Sequence, residues 1–291
     1  LVTNEIVGAV KLRRLAELAG RARIGVLVDD ADQVAALAAA ARSQSVSIDA
    51  YVEVDVGGRR CGVAPGEPAA VLAARVAAES GLRFAGLHCY HGRAQHLRTP
   101  SERSAAIAAA AAAARRSREA IVAAGLAVER ITGAGTGSFV LERDSGVWDE
   151  IQAGSFIFMD RDYADNTRGP ADVAFEHALF VVTTVMSRPA PSRAIVDAGL
   201  KASSVDSGLP TIWQRADLHY RAATDEHGVV ELGAPGDAFG VALGDRLLLV
   251  PGHCDPTVNL YDELICVRML ADPARARVEA LWPISARGAL I

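Results

Sequence analysis

Residues 251–262 read Pro-Gly-His253-Cys254-Asp255-Pro-Thr-Val-Asn-Leu-Tyr-Asp262 and lie between the apolar runs 247–250 and 264–267. An imidazole, a thiol and two carboxylates thus crowd one Pro/Gly-bounded turn between two predicted strands. If the chain stays extended here, side chains alternate, so His253 and Asp255 share a face and Cys254 takes the other. An imidazole and a carboxylate on one face make a two-point seat for a divalent cation. The alternative is a polar turn with a satisfied histidine.

Three further clusters have chemical potential. Residues 88–96 read His88-Cys-Tyr90-His91-Gly-Arg-Ala-Gln95-His96, three of the chain's 7 histidines in one short stretch. The alternation puts His88 and Tyr90 on one face and leaves His91 and His96 in the following loop, where a general base is reachable. Residues 132–138 read Thr132-Gly-Ala-Gly135-Thr136-Gly137-Ser138. Backbone N–H groups of such a loop can cradle a phosphate, although tight turns also need glycine. Residues 55–62, Asp55-Val-Gly-Gly-Arg-Arg60-Cys-Gly62, follow a predicted strand, and Arg60 carries a permanent charge that can meet a ligand oxygen or simply lie in a surface turn.

The elements that must position these groups follow from periodicity. Predicted strands at 1–3, 24–28, 48–54, 83–90, 128–132 and 151–159 alternate with helices at 5–19 (Asn4 as N-cap), 31–43, 67–79, 100–124 and 138–146. Thr99, Pro100 and Glu102 form a capping box. Alternation predicts a parallel sheet. Polar residues at the strand C-termini predict the active face of a (β/α) TIM-type barrel, with a doubly wound sheet as the competing architecture. Beyond residue 165 the pattern becomes strand-like runs without long helices, at 179–186, 194–196, 229–232, 247–250, 264–267 and 278–282. The expected organisation is a partial barrel over residues 1–165 and an antiparallel β-domain over 166–291, carrying the His253 turn.

With 51% hydrophobic and 22% charged residues, the chain has material for sizeable cores. A net charge of −5 gives it no attraction to nucleic acid or to an anionic membrane. Cys61, Cys89, Cys254 and Cys266 lack paired spacing, which predicts reduced thiols and a cytoplasmic location.

Taken together, Asp55-x-Gly-x-x-Arg60-x-Gly62, Tyr90-His91-Gly92-x-x-Gln95-His96, Thr132-Gly-x-Gly135-Thr136-Gly137, Phe158-Met159-Asp160-x-Asp162-Tyr163, Asp197-Ala-Gly199-x-Lys201-Ala202 and the His253 turn resemble the D-threonine aldolase and D-3-hydroxyaspartate aldolase family. These are alanine-racemase-like, fold type III pyridoxal-phosphate enzymes. The resemblance implies pyridoxal 5'-phosphate at the barrel mouth, with Gly135, Thr136 and Gly137 at its phosphate, Arg60 near its ring, Tyr90 lining the pocket and Thr132 also among the cofactor-binding residues. It implies a divalent metal on His253 and Asp255, with His96, or His91 second, as the base that takes the substrate hydroxyl proton. A carboxylate partner for His253 favours manganese or magnesium over zinc. The implied reaction is cleavage of a small D-β-hydroxy amino acid to glycine and an aldehyde, in a homodimer.

Two rival readings accompany it: a D-serine or D-threo-3-hydroxyaspartate dehydratase, in which cysteine replaces the carboxylate, and an inactive cofactor-binding fragment. The last arises because the family's cofactor-linking lysine lies on the first barrel strand. Here Leu1 already reads as the end of a strand, and neither Lys11 nor Lys201 matches that position. The expectation is a barrel whose first two strands are absent.

Overall fold

The computed structural model describes residues 1–232, 240–272 and 275–289. The chain divides into two units, Leu1–Gly154 with Asn166–Val173, and Ser155–Asp165 with Ala174–Ile291.

The first unit strictly alternates strand and helix: β1 (Val2–Glu5), α1 (Ala9–Ala19), β2 (Gly25–Val28), α2 (Ala31–Ser43), β3 (Ile48–Glu53), α3 (Glu67–Ala78), β4 (Leu82–Cys89), α4 (Pro100–Ala123), β5 (Arg130–Gly133), α5 (Phe139–Ser145) and β6 (Glu150–Ile151). Its sheet is parallel, in the order β1-β2-β3-β4-β5-β6. Each helix packs on the next, from α1 to α5. A doubly wound sheet reverses its strand order at a switch point. Here there is no reversal among the described strands, so the helices form one layer and the sheet curls as in a barrel. Every residue of β2 and β3 is buried, as in parallel strands covered on both faces.

Local signals place most of these elements. In the capping box, Glu102 N–H donates to Thr99 Oγ1 (3.3 Å) and Thr99 N–H donates to Glu102 Oε2 (3.1 Å). Two expectations are corrected. Asn4 is not an N-cap: it lies in β1, and α1 begins after Gly8, whose φ of 99° suits glycine. The strand expected at 151–159 ends at Ile151, and Ser155–Ile157 forms a 3-10 turn. The β5 ladder gives out at Gln152 N–H to Gly133 O, after which Phe158 and Met159 N–H groups turn back onto Ser155 O.

The exchange of segments near residue 165 has a polar cause. Arg103 is 2% exposed, and its guanidinium donates to the carbonyls of Leu97, Arg98 and Thr167 and to Asp172 Oδ2. A buried charge needs this degree of pairing, so residues 166–173 stay with the first unit. Residues 155–165 join the second through Arg161 N–H to Pro251 O and Asp162 N–H to Gly252 O.

The second unit holds α6 (Arg161–Ala164), β7 (Val181–Ala190), β8 (Arg193–Val196), β9 (Thr211–Ile212), β10 (Leu218–Ala223), β11 (Gly228–Leu232), β12 (Arg246–Val250), α7 (Cys254–Val258), β13 (Glu263–Arg268) and β14 (Arg277–Pro283). Six strands form an antiparallel sheet in the order β10-β11-β8-β7-β12-β9, and β13 and β14 form a separate hairpin. Val185, Ala194, Val196, Val230 and Leu249 centre its core. β9 and β10 escaped the sequence reading: β9 has two residues, and β10 places polar His219 and Arg221 on its outer face.

Candidate functional site

In the first unit the chemical groups gather at the C-terminal ends of β3, β4 and β5. Arg60 lies 5.4 Å over the Tyr90 ring and 3.9 Å from Glu53 Oε1. The structure therefore brings together Arg60, expected near a cofactor ring, and Tyr90, expected to line the pocket. Behind them runs a buried polar layer. Glu53 Oε2 is 3.5 Å from His88 Nδ1, His88 Nε2 is 3.1 Å from Gln152 Oε1, and Gln152 Nε2 donates to Thr132 Oγ1 (2.7 Å). Thr132 Oγ1 in turn donates to Glu150 Oε1 (2.9 Å). Burial pushes the Glu53 carboxyl up, but bonds from His88 and Glu5 outweigh it and hold the group below the usual carboxylate range. The Thr132 hydroxyl is thus committed inside the sheet.

The two candidate bases differ sharply. His91 is 9% exposed, its Nδ1 accepts the Ala94 N–H (3.3 Å), and burial holds its pKa below the usual imidazole value. Accepting on Nδ1 puts the proton of the neutral ring on Nε2, and that atom faces Gly57, where a Cβ would stand 2.7 Å away. His96 is exposed at the end of the 3-10 turn Gly92–His96.

The glycine loop departs from β5 with Ala134 in the left-handed region at φ 68°, a strained setting for a residue with a Cβ. Gly135 O accepts the N–H groups of Ser138 and Phe139. Gly137 N–H donates to Gln95 Oε1 (2.8 Å), so that donor too is committed. Ser138, the N-cap of α5, makes no side-chain cap bond and sends its hydroxyl to Glu142 Oε1 (2.8 Å). The backbone donors of Gly137, Ser138 and Phe139 are thus all engaged within the protein. A glycine-rich turn, an arginine and an aromatic face at the C-terminal ends of these strands fit a phosphorylated aromatic cofactor.

In the second unit the His253 turn is not extended. α7 begins at Cys254, and His253 is its N-cap residue. The expected alternation therefore fails, because the Pro256-containing segment winds up, with Asn259 N–H returning to Asp255 O. His253 and Asp255 nonetheless meet, with Nε2 3.2 Å from Oδ2. The other imidazole nitrogen, Nδ1, lies 2.7 Å from Asp160 Oδ2. Asp160 is fully buried; it also accepts the N–H groups of Cys254 (3.1 Å) and Tyr163 (3.0 Å). The His177 ring nitrogen Nε2 reaches the Asp160 carbonyl at 3.3 Å.

Bonds to Asp160 and Asp255 push the His253 pKa up to about 10. Two carboxylates around one imidazole thus create an excess of negative potential that a proton meets here and a divalent cation can meet instead. Ionised Asp160 can only accept, so His253 Nδ1 donates and Nε2 is the atom left to face Asp255 and a metal. Cys254 complicates the donor set. Its sulfur lies with the ligand atoms of Asp160 and His253 inside a 4.8 Å cluster, and 3.8 Å from Asp255 Oδ1. Burial, then the two carboxylates, push its thiol up to about 12. The donors present fit a divalent metal.

Asp160 is the residue that sequence reasoning missed. It stands in the Phe158–Tyr163 motif with no site role assigned to it, yet it contacts a histidine 93 positions away. Locally it is the N-cap of the four-residue α6, a position that gives no hint of the distant histidine.

Comparison with known proteins agrees with both units. Residues 2–162 match the alanine racemase N-terminal domain family, and residues 178–267 match the putative serine dehydratase domain. The chain is 46% identical to a D-threonine aldolase of Arthrobacter sp. over 288 residues, covering 99% of this chain and 73% of that protein. It is 44% identical to a 3-hydroxy-D-aspartate aldolase of Paracoccus denitrificans (strain Pd 1222) over 294 residues, with the same two coverages. The crystal structure of a D-threonine aldolase from Filomicrobium marinum superposes with a TM-score of 0.94 at 45% identity, covering 100% of this chain and 78% of that one. With its curled parallel sheet, its antiparallel domain and these relatives, the chain belongs to the alanine-racemase-like aldolase family that contains D-threonine aldolase and 3-hydroxy-D-aspartate aldolase.

Proposed function

We propose that this protein is a carbon–carbon lyase that cleaves D-β-hydroxy-α-amino acids of the D-threonine type to glycine and an aldehyde, using pyridoxal 5'-phosphate and a divalent metal. The observation that carries the reading is the pairing of His253 with two carboxylates, Asp160 and Asp255, in a chain 46% identical to a D-threonine aldolase. When bound, pyridoxal phosphate supplies an electron sink for the breaking Cα–Cβ bond and the metal supplies a Lewis acid for the β-hydroxyl.

The rest is work for the chain's own groups. His253 Nε2 and Asp255 Oδ2 are the proposed metal ligands, and Asp160 holds the imidazole with its Nδ1 proton inward. The loop of Gly135, Thr136 and Gly137 would surround the cofactor phosphate, with the Gly137 N–H itself kept by Gln95. Arg60 and Tyr90 would hold the ring, with the guanidinium supplying positive charge beside it. His96, exposed and in the loop after β4, takes the hydroxyl proton on a ring nitrogen. His91 is the weaker candidate, because its Nδ1 lone pair is engaged by Ala94 N–H.

An oxygen-rich donor set supports manganese or magnesium. The Cys254 sulfur beside the cluster favours a second reading, a zinc-dependent dehydratase. The two separate by product: D-threonine yields glycine and acetaldehyde in the first and 2-oxobutanoate and ammonia in the second. Acetaldehyde formation that needs both cofactor and metal is the expected result, and 2-oxobutanoate as the main product overturns the aldolase reading. A homodimer belongs to the same proposal. It is supported by the exposed Ile265 and Leu281, paired directly across the β13–β14 hairpin on one face that a second copy can cover. Four free cysteines support a reducing, cytoplasmic compartment. No helix among the described residues is long and apolar enough to cross a membrane.

A further inference from the structure

Gln95 stands in the Tyr90–His96 motif, yet nothing in the proposed reaction uses it. It is completely buried, and its amide is clasped by the glycine loop. Gly137 N–H donates to its Oε1 (2.8 Å), and its Nε2 donates to Ser138 Oγ (2.6 Å). The Ser138 hydroxyl passes the pattern on, donating to Glu142 Oε1 (2.8 Å). Every proton in this series points one way, from Gly137 through Gln95 and Ser138 to Glu142. A side-chain amide suits the central place because it accepts on one atom and donates from the other. From outside the loop, Asn166 Nδ2 donates to the Gln95 carbonyl (2.8 Å) and fixes its backbone.

The glycines are shaped to this amide. A Cβ at Gly135 would stand 2.5 Å from Gln95 Oε1, and one at Gly137 would stand 2.9 Å from the Gln95 carbonyl oxygen. At the far end Glu142 is 1% exposed, and its second oxygen, Oε2, is buried without a hydrogen-bond partner. Burial pushes this carboxyl up to about 7, in keeping with a group that serves as a neutral acceptor.

We infer that Gln95 is the positioning residue of the glycine loop: held by Ser138 and Glu142, its amide sets the backbone from Gly135 to Gly137 in the shape that receives a phosphate group. The inference rests on the reading of this loop as the phosphate cradle. It assigns the Gly137 N–H and the Ser138 hydroxyl proton to the protein's own scaffold rather than to the ligand.

The test compares pyridoxal phosphate with pyridoxal, which lacks only the phosphate. Affinities of the cofactor-free protein for both, and for inorganic phosphate as competitor, give the phosphate's contribution as a ratio. A general loss of structure does not change that ratio selectively. Gln95→Glu replaces the donating atom with an acceptor facing Ser138. It should lower pyridoxal phosphate affinity about 10- to 100-fold, the effect of disturbing one or two hydrogen bonds to a charged group, while pyridoxal affinity stays as in the parent. Ser138→Ala, which cuts the series but keeps Gln95, should lower the ratio in the same direction by a smaller factor. If Gln95→Glu does not fold, Ser138→Ala decides by the same ratio. Glu142→Gln, which can still accept from Ser138, should keep the parent ratio. An unchanged ratio in both Gln95→Glu and Ser138→Ala overturns the positioning role, and a collapsed ratio in Glu142→Gln overturns the direction assigned to the series. A parent protein that binds pyridoxal phosphate and pyridoxal equally overturns the phosphate reading of the loop itself, before any substitution is made.

Discussion

The glycine loop of the parallel-sheet unit and the His253 turn of the antiparallel unit are built on opposite principles. Each holds one non-glycine residue in the left-handed region beside it, Ala134 at φ 68° and Met159 at φ 50°. Around the loop the polar groups are uncharged amides, a hydroxyl and a carboxyl pushed towards neutrality, and they bond chiefly to one another. Around the turn they are two carboxylates on one imidazole, with Asp255 open to solvent. A neutral network in a dry setting fixes a backbone shape, because any charge there would demand pairing. A charged cluster with one open side instead favours a bound cation. The two regions thus divide their tasks: one shapes the backbone and the other gathers charge.

That contrast can be broken most forcefully at the turn. His253→Ala should lower kcat/KM for D-threonine more than about 100-fold, since partners that merely orient a metal ligand are themselves worth about 10- to 100-fold. A manganese titration of activity checks it, and parental activity at ordinary metal concentrations would remove His253 from the ligand set. Asp160→Asn should weaken manganese affinity about 10- to 100-fold, because its single amide oxygen can accept from Tyr163 N–H on one side or from Cys254 N–H and His253 on the other, but not from both. Competition with a chromophoric chelator measures this. Cys254→Ser sharpens the point: manganese affinity should match the parent, and a parallel loss of manganese and zinc binding would make the sulfur a ligand.

The loop yields smaller effects. In the folded protein Glu142 titrates near 7, above its ordinary value of 4.5, so its neutral form is favoured by folding. The stability this gives is complete below pH 4.5 and is lost as pH rises through 7, roughly 3 kcal/mol in all. Glu142→Gln cannot titrate, so its stability relative to the parent should rise between pH 4.5 and 7 and then level off. Urea unfolding across that range reads the difference, and a flat difference would show that the carboxyl is not held neutral. Gly135→Ala forces a methyl to 2.5 Å from Gln95 Oε1 and should cost about 1–3 kcal/mol, seen as a lowered Tm. Gly154→Ala, with nothing within 4 Å, should leave Tm unchanged.

Much of this was legible in the residues themselves. Strand–helix alternation gave the parallel sheet, and Thr99 with Glu102 gave the start of α4, because both signals are local. The pairing of His253 with Asp255 was also foreseen, but for the wrong reason. Alternation in an extended chain was expected, whereas α7 brings the two groups together. The 3-10 turn in place of a long sixth strand was missed for a related reason. An apolar run can be read as strand or turn until its neighbours take up its N–H groups.

Sequence alone determined which chemistries were present: an imidazole beside carboxylates, an arginine after a strand, glycines after another. Tertiary structure decided which of those groups are free to act. It committed Thr132 to Glu150, Gly137 to Gln95 and His91 to Ala94, and it brought Asp160 to His253 across 93 positions. The physical reason is that a donor or acceptor buried on folding is costly to leave without a partner. Which partner it finds depends on the elements folded against it and not on its neighbours in the chain.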